Sequence, residues 1–112
     1  NPVACAGALS VLEQIDDAFL EAVKQKGTWL TAELEKIPGV KDVSGLGLML
    51  GMVVDGDPKA VVDAFRDFNV LALTAHGNVV RFLPTLSMSE AHIEEAVEMM
   101  GDALDGLWGA EA

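Results

Sequence analysis

The sequence has 112 residues, 51% of them hydrophobic, and its 18 acidic and seven basic residues give a formal net charge of −11. This length fits one domain and excludes a complete multidomain enzyme, since a domain has roughly 100–200 residues. The apolar content argues against a disordered chain. The acidic balance argues against nucleic acid or an anionic membrane as a partner, because both would repel the chain. We expect the surplus of apolar residues to be covered in part by another domain or subunit.

Two helices are predicted in the first third of the chain. Asn1-Pro2 combines a good N-cap with a residue that suits the first helical position. Asp16-Asp17 provides a break and a second cap, and Pro38-Gly39 ends the second helix. Gly27 lies on the apolar side of that helix, where a glycine costs about 1 kcal/mol relative to alanine, so we expect a packed neighbour to approach it closely. The other apolar residues at helical spacing are Val3, Ala6, Leu9, Leu12 and Ile15, then Leu20, Val23, Leu30, Leu34 and Ile37.

The longest apolar run, Gly45–Val54, is predicted to form a strand, with a short extra strand near Val40–Val43. At ten residues the run is too short to span a membrane, which requires about 20. Alternation would place the large side chains on one face and mostly small residues on the other, so that a second body could come near the backbone. The two sets are Leu46, Leu48, Leu50, Met52 and Val54, and Gly45, Gly47, Met49, Gly51 and Val53.

A helix, a hairpin and a final helix are predicted in the second half. Asp57-Pro58 begins a helix with Val61, Phe65 and Phe68 on its inner stripe. Val70–Thr74 and Val79–Leu83 are predicted to pair as a hairpin. Ser87 and Glu90 match a capping box that opens the last helix. The apolar stripe of that helix is Ile93, Val97, Met100, Leu104 and Leu107.

The predicted order of elements is therefore α-α-β-α-β-β-α. This order is typical of a two-layer α+β domain, in which the helices cover one face of a small sheet. The other face of the sheet would then lack a cover within this chain. Such a bare apolar face indicates a missing partner surface.

Arg81 is the most informative polar residue, because it lies in an apolar strand and is one of only two arginines. An arginine in such a setting can bind a substrate carboxylate through two parallel hydrogen bonds. The alternative is an arginine on an edge strand that pairs with one of the many acidic side chains. Judged from residue type alone, an ion pair within the chain is more common for such an arginine than binding of a substrate.

The remaining polar residues do not form a recognisable active site. His76 and His92 lack partners at the spacing of metal ligands, so no metal site is predicted. The glycines at 45, 47 and 51 lie inside a predicted strand rather than between a strand and a helix, which argues against nucleotide binding. Cys5, the single cysteine, cannot form an internal disulfide. With no secretory signal in view, we expect a reducing cytosol.

Three stretches resemble the class III pyridoxal-phosphate aminotransferases. Residues 1–9, NPVACAGAL, are similar to the family's N-P-[VL]-A-C-A-A-A-L stretch. Residues 45–51, GLGLMLG, are similar to its R-G-x-G-L-M-x-G strand. Residues 73–84, LTAHGNVVRFLP, are similar to L-T-A-G-G-N-V-V-R-F-L-P, which is typical of acetylornithine aminotransferases. The similarity runs in order from Asn1 to about Leu107.

The resemblance implies that residues 1–112 are the C-terminal small domain of a longer enzyme, with residues 1–37 as a helical connection to its large domain. It implies that the pyridoxal phosphate and its lysine belong to that large domain, so this chain alone would have no catalytic, cofactor-binding or metal-binding residues and would be inactive. The five lysines of the chain, which lie in polar stretches or at helix ends, agree with this expectation. The full enzyme would be a cytoplasmic homodimer that acts on a small amino acid and 2-oxoglutarate.

Within this resemblance, Arg81 matches the arginine that binds the substrate α-carboxylate. The implied reaction is amino transfer between N-acetylornithine and 2-oxoglutarate, in arginine biosynthesis. Ornithine, succinylornithine and 4-aminobutyrate aminotransferases remain alternatives, as do a free-standing amino-acid-binding regulatory module and an interaction domain. The sequence departs from the family pattern at Ser44, His76 and Thr85, which leaves the exact substrate open.

Overall fold

The computed structural model describes residues 1–108, which form four helices and a four-stranded sheet. The elements are α1 (Pro2–Gln14), α2 (Asp17–Glu35), β1 (Val40–Leu46), β2 (Met49–Val54), α3 (Pro58–Asp67), β3 (Leu73–Thr74), β4 (Val79–Phe82) and α4 (Glu90–Trp108). The mixed α+β class is confirmed, but the order is α-α-β-β-α-β-β-α and contains one more full strand than predicted. In this part of the chain, no helix combines the length and apolar character needed to cross a membrane.

The prediction of one strand over Gly45–Val54 is wrong, because the chain reverses within it. β1 and β2 pair antiparallel, Leu46 opposite Met49, and Gly47 and Leu48 form a two-residue turn. Gly47 adopts a φ of +59°, a conformation that glycine tolerates and that hairpin turns of this length require. Alternation continues on both sides of such a short turn, so periodicity did not indicate the reversal. As a result Leu46 is 88% exposed, while Leu50, Met52 and Val54 are buried as expected.

The four strands form an antiparallel sheet in the order β1-β2-β4-β3. Their buried side chains point to one face, which α2, α3 and α4 cover. The inner strand residues are Val43, Leu50, Met52, Val54, Val80 and Phe82, and the largest fully buried helix residues are Leu30, Leu34, Phe65, Ile93, Met100 and Leu104. These three helices therefore lie on one side of the sheet, as predicted, and the opposite face is open among residues 1–108.

Helix starts agree with the predicted capping residues in three of four cases. The Asn1 side chain accepts a hydrogen bond from the Val3 N–H at 2.9 Å. Asp16 accepts one from Phe19 at 2.8 Å, and Asp57 accepts one from Lys59 at 3.1 Å. Each bond satisfies a backbone donor that has no partner within its helix.

The fourth cap differs from the prediction. Ser89, and not Ser87, accepts a hydrogen bond from a first-turn amide, that of His92 at 3.3 Å, and its hydroxyl lies 3.0 Å from His92 Nδ1.

Replacing Ser89 by alanine should therefore lower the free energy of unfolding by about 1 kcal/mol, whereas Ser87→Ala should have little effect. Urea denaturation of both variants measures the change in the free energy of unfolding. An equal loss in the two variants would contradict the assignment.

Two apolar predictions are not met within this chain. Phe68 was expected on the inner stripe of α3, but the helix ends at Asp67 and Phe68 is 40% exposed. Leu20 is predicted on the apolar stripe of α2 but is 52% exposed. No residue of α1 is buried and Val3 is 80% exposed, so residues 1–108 do not supply the cover that is expected from another domain or subunit. In contrast, Gly27 is buried against the backbone of Gly47, which confirms the predicted close approach.

Candidate functional site

Arg81 lies on the open face of the sheet. Its neighbours on β4, Val80 and Phe82, are buried against the helices, so alternation directs Arg81 to the opposite side. The register places Gly51 of β2 and Leu73 of β3 directly beside it. Arg81 is exposed, and it forms no ion pair with any other residue of the range 1–108.

The alternative of an edge-strand ion pair does not match this geometry. β4 lies between β2 and β3, so Arg81 is on an inner strand. The salt bridges of the described chain join Lys36 to Glu33, Lys41 to Asp55, and both Lys59 and Arg66 to Asp63. The Arg81 guanidinium is therefore available to an external anion.

Five residues are predicted to lie on the small-residue face of the strand. Three of them, Met49, Gly51 and Val53, lie on the same face of the sheet as Arg81. Gly51 has no side chain beside the arginine, and a Cβ there would come within 2.9 Å of Val79 Cγ1. Met49 and Val53 alternate with Gly51 and share its face. Gly45 instead pairs with buried Leu50, and Gly47 lies in the turn against Gly27. This difference follows from the unpredicted reversal of the chain.

A groove of about 380 Å³ adjoins Arg81. Its lining residues are Val62, Arg66, Val70, Leu71, Ala72, Leu73, Arg81 and Leu83. Both arginines of the chain are among them, and none of the lining residues is acidic. Arg66 was not identified from the sequence. That it is the only other arginine was the available signal, but its position along the chain did not indicate that both arginines line one groove.

The end of α3 explains why Arg66 lies near the third strand. Arg66 occupies the last turn of α3. Asn69 then adopts a φ of +65°, and the Val70 amide donates to the Phe65 carbonyl at 2.9 Å, so the chain reverses next to the helix end. Because β3 pairs with β4, this reversal brings the helix end and Arg81 to the same groove.

The other polar residues considered from the sequence do not join this groove. His76 is exposed in the turn before β4, and His92 contacts Ser89 at the start of α4. Ser44 is exposed on β1, and Cys5 is exposed on α1. Within residues 1–108, no group of three or more His, Cys, Asp or Glu side chains is placed to hold a metal ion.

Comparison with known proteins connects this arrangement to one family. The family described as aminotransferase class-III matches residues 1–104. The acetylornithine aminotransferase of Methanothermobacter thermautotrophicus is 32% identical over 112 residues, covering 96% of this chain and 29% of that protein. The acetylornithine aminotransferase of Lactococcus lactis is 38% identical over 106 residues, covering 89% of this chain and 28% of that protein.

A solved structure shares the fold as well. The crystal structure of acetylornithine aminotransferase from Elizabethkingia anophelis superimposes with a TM-score of 0.83 at 26% sequence identity. The match covers 92% of this chain and 28% of that one. The chain thus spans less than a third of the length of the relatives it matches.

Proposed function

The chain belongs to the class-III aminotransferase family, and on that premise we propose that it is the C-terminal small domain of a pyridoxal-phosphate aminotransferase. Its match to less than a third of each relative supports this assignment. Residues 1–37 would connect it to a large domain. The exposed apolar residues of α1, such as Val3 and Leu12, would be covered there.

The observation that carries the proposal is Arg81 on the open sheet face, without a carboxylate partner in the described part of the chain. A guanidinium in that setting can bind a carboxylate through two parallel hydrogen bonds. Gly51, directly beside it on β2, adds no side chain next to the arginine. We assign to Arg81 the binding of the substrate α-carboxylate, for the amino donor and for 2-oxoglutarate alike.

The family uses pyridoxal 5'-phosphate, but the described residues do not fit a complete site for it. A lysine that binds the cofactor aldehyde needs a desolvated setting. Here Lys36, Lys41 and Lys59 are exposed and lie 2.9–3.3 Å from carboxylate oxygens. Lys24 is exposed and Lys26 is half-buried on α2. The cofactor site would therefore belong to the large domain, and this chain would supply carboxylate binding.

The proposed reaction is amino transfer from N-acetylornithine to 2-oxoglutarate. The names of the relatives support it, and so does the residue pattern around Arg81. Ornithine, succinylornithine and 4-aminobutyrate are the alternative donors, and the departures from the family pattern at His76 and Thr85 bear on the choice. We also propose that the complete enzyme is a homodimer and cytoplasmic, although some relatives are named as mitochondrial.

The test is an assay of the complete protein that contains this chain. With pyridoxal phosphate and 2-oxoglutarate, we expect amino transfer from N-acetylornithine with a higher kcat/KM than from the three alternative donors. Glutamate formation measures the rate. A preference for another donor would contradict the substrate assignment, and no transfer from any of the four would contradict the enzyme class.

A further inference from the structure

We propose that the last turn of α4 is a conformational latch, which Trp108 holds closed by placing its indole ring against Gly39 and Gly56. The latch opens while the core stays folded, and its opening releases the start of β1, an edge strand of the sheet. This inference depends neither on the role proposed for Arg81 nor on the reaction proposed for the complete enzyme.

Two glycines from separate turns form the notch that receives the ring. Gly39 lies between α2 and β1, and Gly56 lies between β2 and α3. A Cβ on Gly56 would lie 2.9 Å from Cζ2 and 3.0 Å from Nε1 of Trp108, and a Cβ on Gly39 would overlap Cζ3 and Cε3. The indole therefore lies directly against both backbones, which is possible because neither residue has a side chain.

The two turns of the notch are joined to each other and to the edge strand. The Asp55 amide donates a hydrogen bond to the Gly39 carbonyl at 3.1 Å. Lys41 Nζ, on β1, lies 3.3 Å from Asp55 Oδ1. Because Gly39 comes directly before β1, Trp108 connects the end of the last helix to the point where the edge strand begins.

The last turn of α4 has little stability of its own. It contains Gly106, and glycine weakens a helix more than any residue except proline. Asp105 places a negative charge near the end of the helix, where the helix dipole favours cations, and the turn contains no basic residue. Leu107 and Trp108 are the residues of this turn that pack against the core, so their contacts must hold it.

The body of the same helix is anchored differently. Met100 and Leu104 are fully buried, whereas Leu107 and Trp108 are only partly buried. A segment that few buried contacts hold opens at a lower free energy than the core. We therefore expect the latch to open separately from the rest of α4.

Amide hydrogen exchange of the 112-residue chain, followed by NMR, tests the latch. In low concentrations of urea, exchange of the Met100 amide should accelerate and that of the Leu107 amide should change little, because only the first requires exposure of the core. Trp108→Ala should speed exchange of the Leu107 and Asp55 amides by about tenfold or more, the effect of losing a partly buried aromatic ring.

A double-mutant cycle isolates the contact in the notch. Gly56 does not have a positive φ, so Gly56→Ala disturbs the ring rather than the backbone. With Trp108 present, this change should accelerate Leu107 exchange and shift the NMR signal of the Trp108 indole N–H. In the Trp108→Ala background, it should change the exchange rate by less than about twofold.

Two further glycines of α4 provide matched controls. A Cβ at Gly101 or at Gly106 would have no atom within 4 Å. Gly106→Ala strengthens the latch itself and should slow Leu107 exchange by about fivefold. Gly101→Ala lies in the part of the helix that stays formed when the latch opens, so it should leave this rate unchanged.

Three outcomes would contradict the proposal. An equal urea dependence for the Leu107 and Met100 amides would show that the end of α4 unfolds only together with the core, and would overturn the latch. Equal acceleration by Gly56→Ala with and without Trp108 would refute the contact in the notch. Unchanged Asp55 exchange in Trp108→Ala would refute the connection to the start of β1.

Discussion

Replacing Arg81 by lysine in the complete enzyme is expected to raise KM for both the amino donor and 2-oxoglutarate by about tenfold or more. Lysine keeps the positive charge but loses the planar fork that forms two parallel hydrogen bonds with a carboxylate. A hydrogen bond to a charged group contributes about 1.5–3 kcal/mol, which corresponds to a factor of roughly ten or more. Steady-state kinetics with each substrate varied in turn measures the effect.

Two features of the structure sharpen this experiment. Arg81 is exposed and unpaired within residues 1–108, so its replacement breaks no internal ion pair and a kinetic effect can be attributed to substrate. Lys41, on the edge strand and 3.3 Å from Asp55, provides the control, since Lys41→Gln should leave both KM values unchanged. Unchanged KM values for both substrates in Arg81→Lys would refute the role assigned to Arg81.

Gly27→Ala is expected to lower the free energy of unfolding by about 2 kcal/mol, although alanine is the better helix former. A Cβ at this position would overlap the carbonyl group of Gly47 in the β1–β2 turn. The contact is between two backbones, so no side chain can rotate away, and α2 would have to move from the hairpin it covers. Overpacking of this kind costs about 1–3 kcal/mol, more than the gain of about 1 kcal/mol in helix propensity.

The matched control is Gly101, which lies inside α4. A Cβ at Gly101 would have no atom within 4 Å. Gly101→Ala should therefore raise the free energy of unfolding by about 0.5–1 kcal/mol, through helix propensity alone. Denaturant titration of both variants gives the two values. A stabilising effect of Gly27→Ala would show that α2 and the turn are not held in contact.

The sequence allowed the helix starts to be predicted because they depend on neighbouring residues. Asn1, Asp16 and Asp57 each accept an amide hydrogen bond from within three residues, so the residue type and its position carry the information. The same local pattern predicted Ser87 as the N-cap of the last helix, but Ser89 is the serine that accepts the first-turn amide hydrogen bond. Two serines so close together offer the same chemistry, and only the path of the chain after β4 selects between them.

The candidate site was predictable for Arg81 and not for Arg66. Arg81 lies in an alternating apolar strand, and alternation places it opposite the buried Val80 and Phe82. Arg66 reaches the same groove only because the chain reverses at Asn69 and β3 pairs with β4. That arrangement depends on strand pairing between distant segments, which residue spacing does not encode.

The sequence by itself therefore determined the class of the domain, the positions of its helices, the inner stripe of α4, the stripe of α2 apart from Leu20, and the side of the sheet on which Arg81 lies. These features follow from hydrogen bonds within one turn of helix and from the periods of helices and strands. The tertiary structure decided the reversal at Gly47, the exposure of Phe68 and the presence of Arg66 and Arg81 in the lining of one groove. Each depends on contacts between segments that are far apart in the chain, and the free energy of such contacts is set by packing and strand register rather than by local residue type.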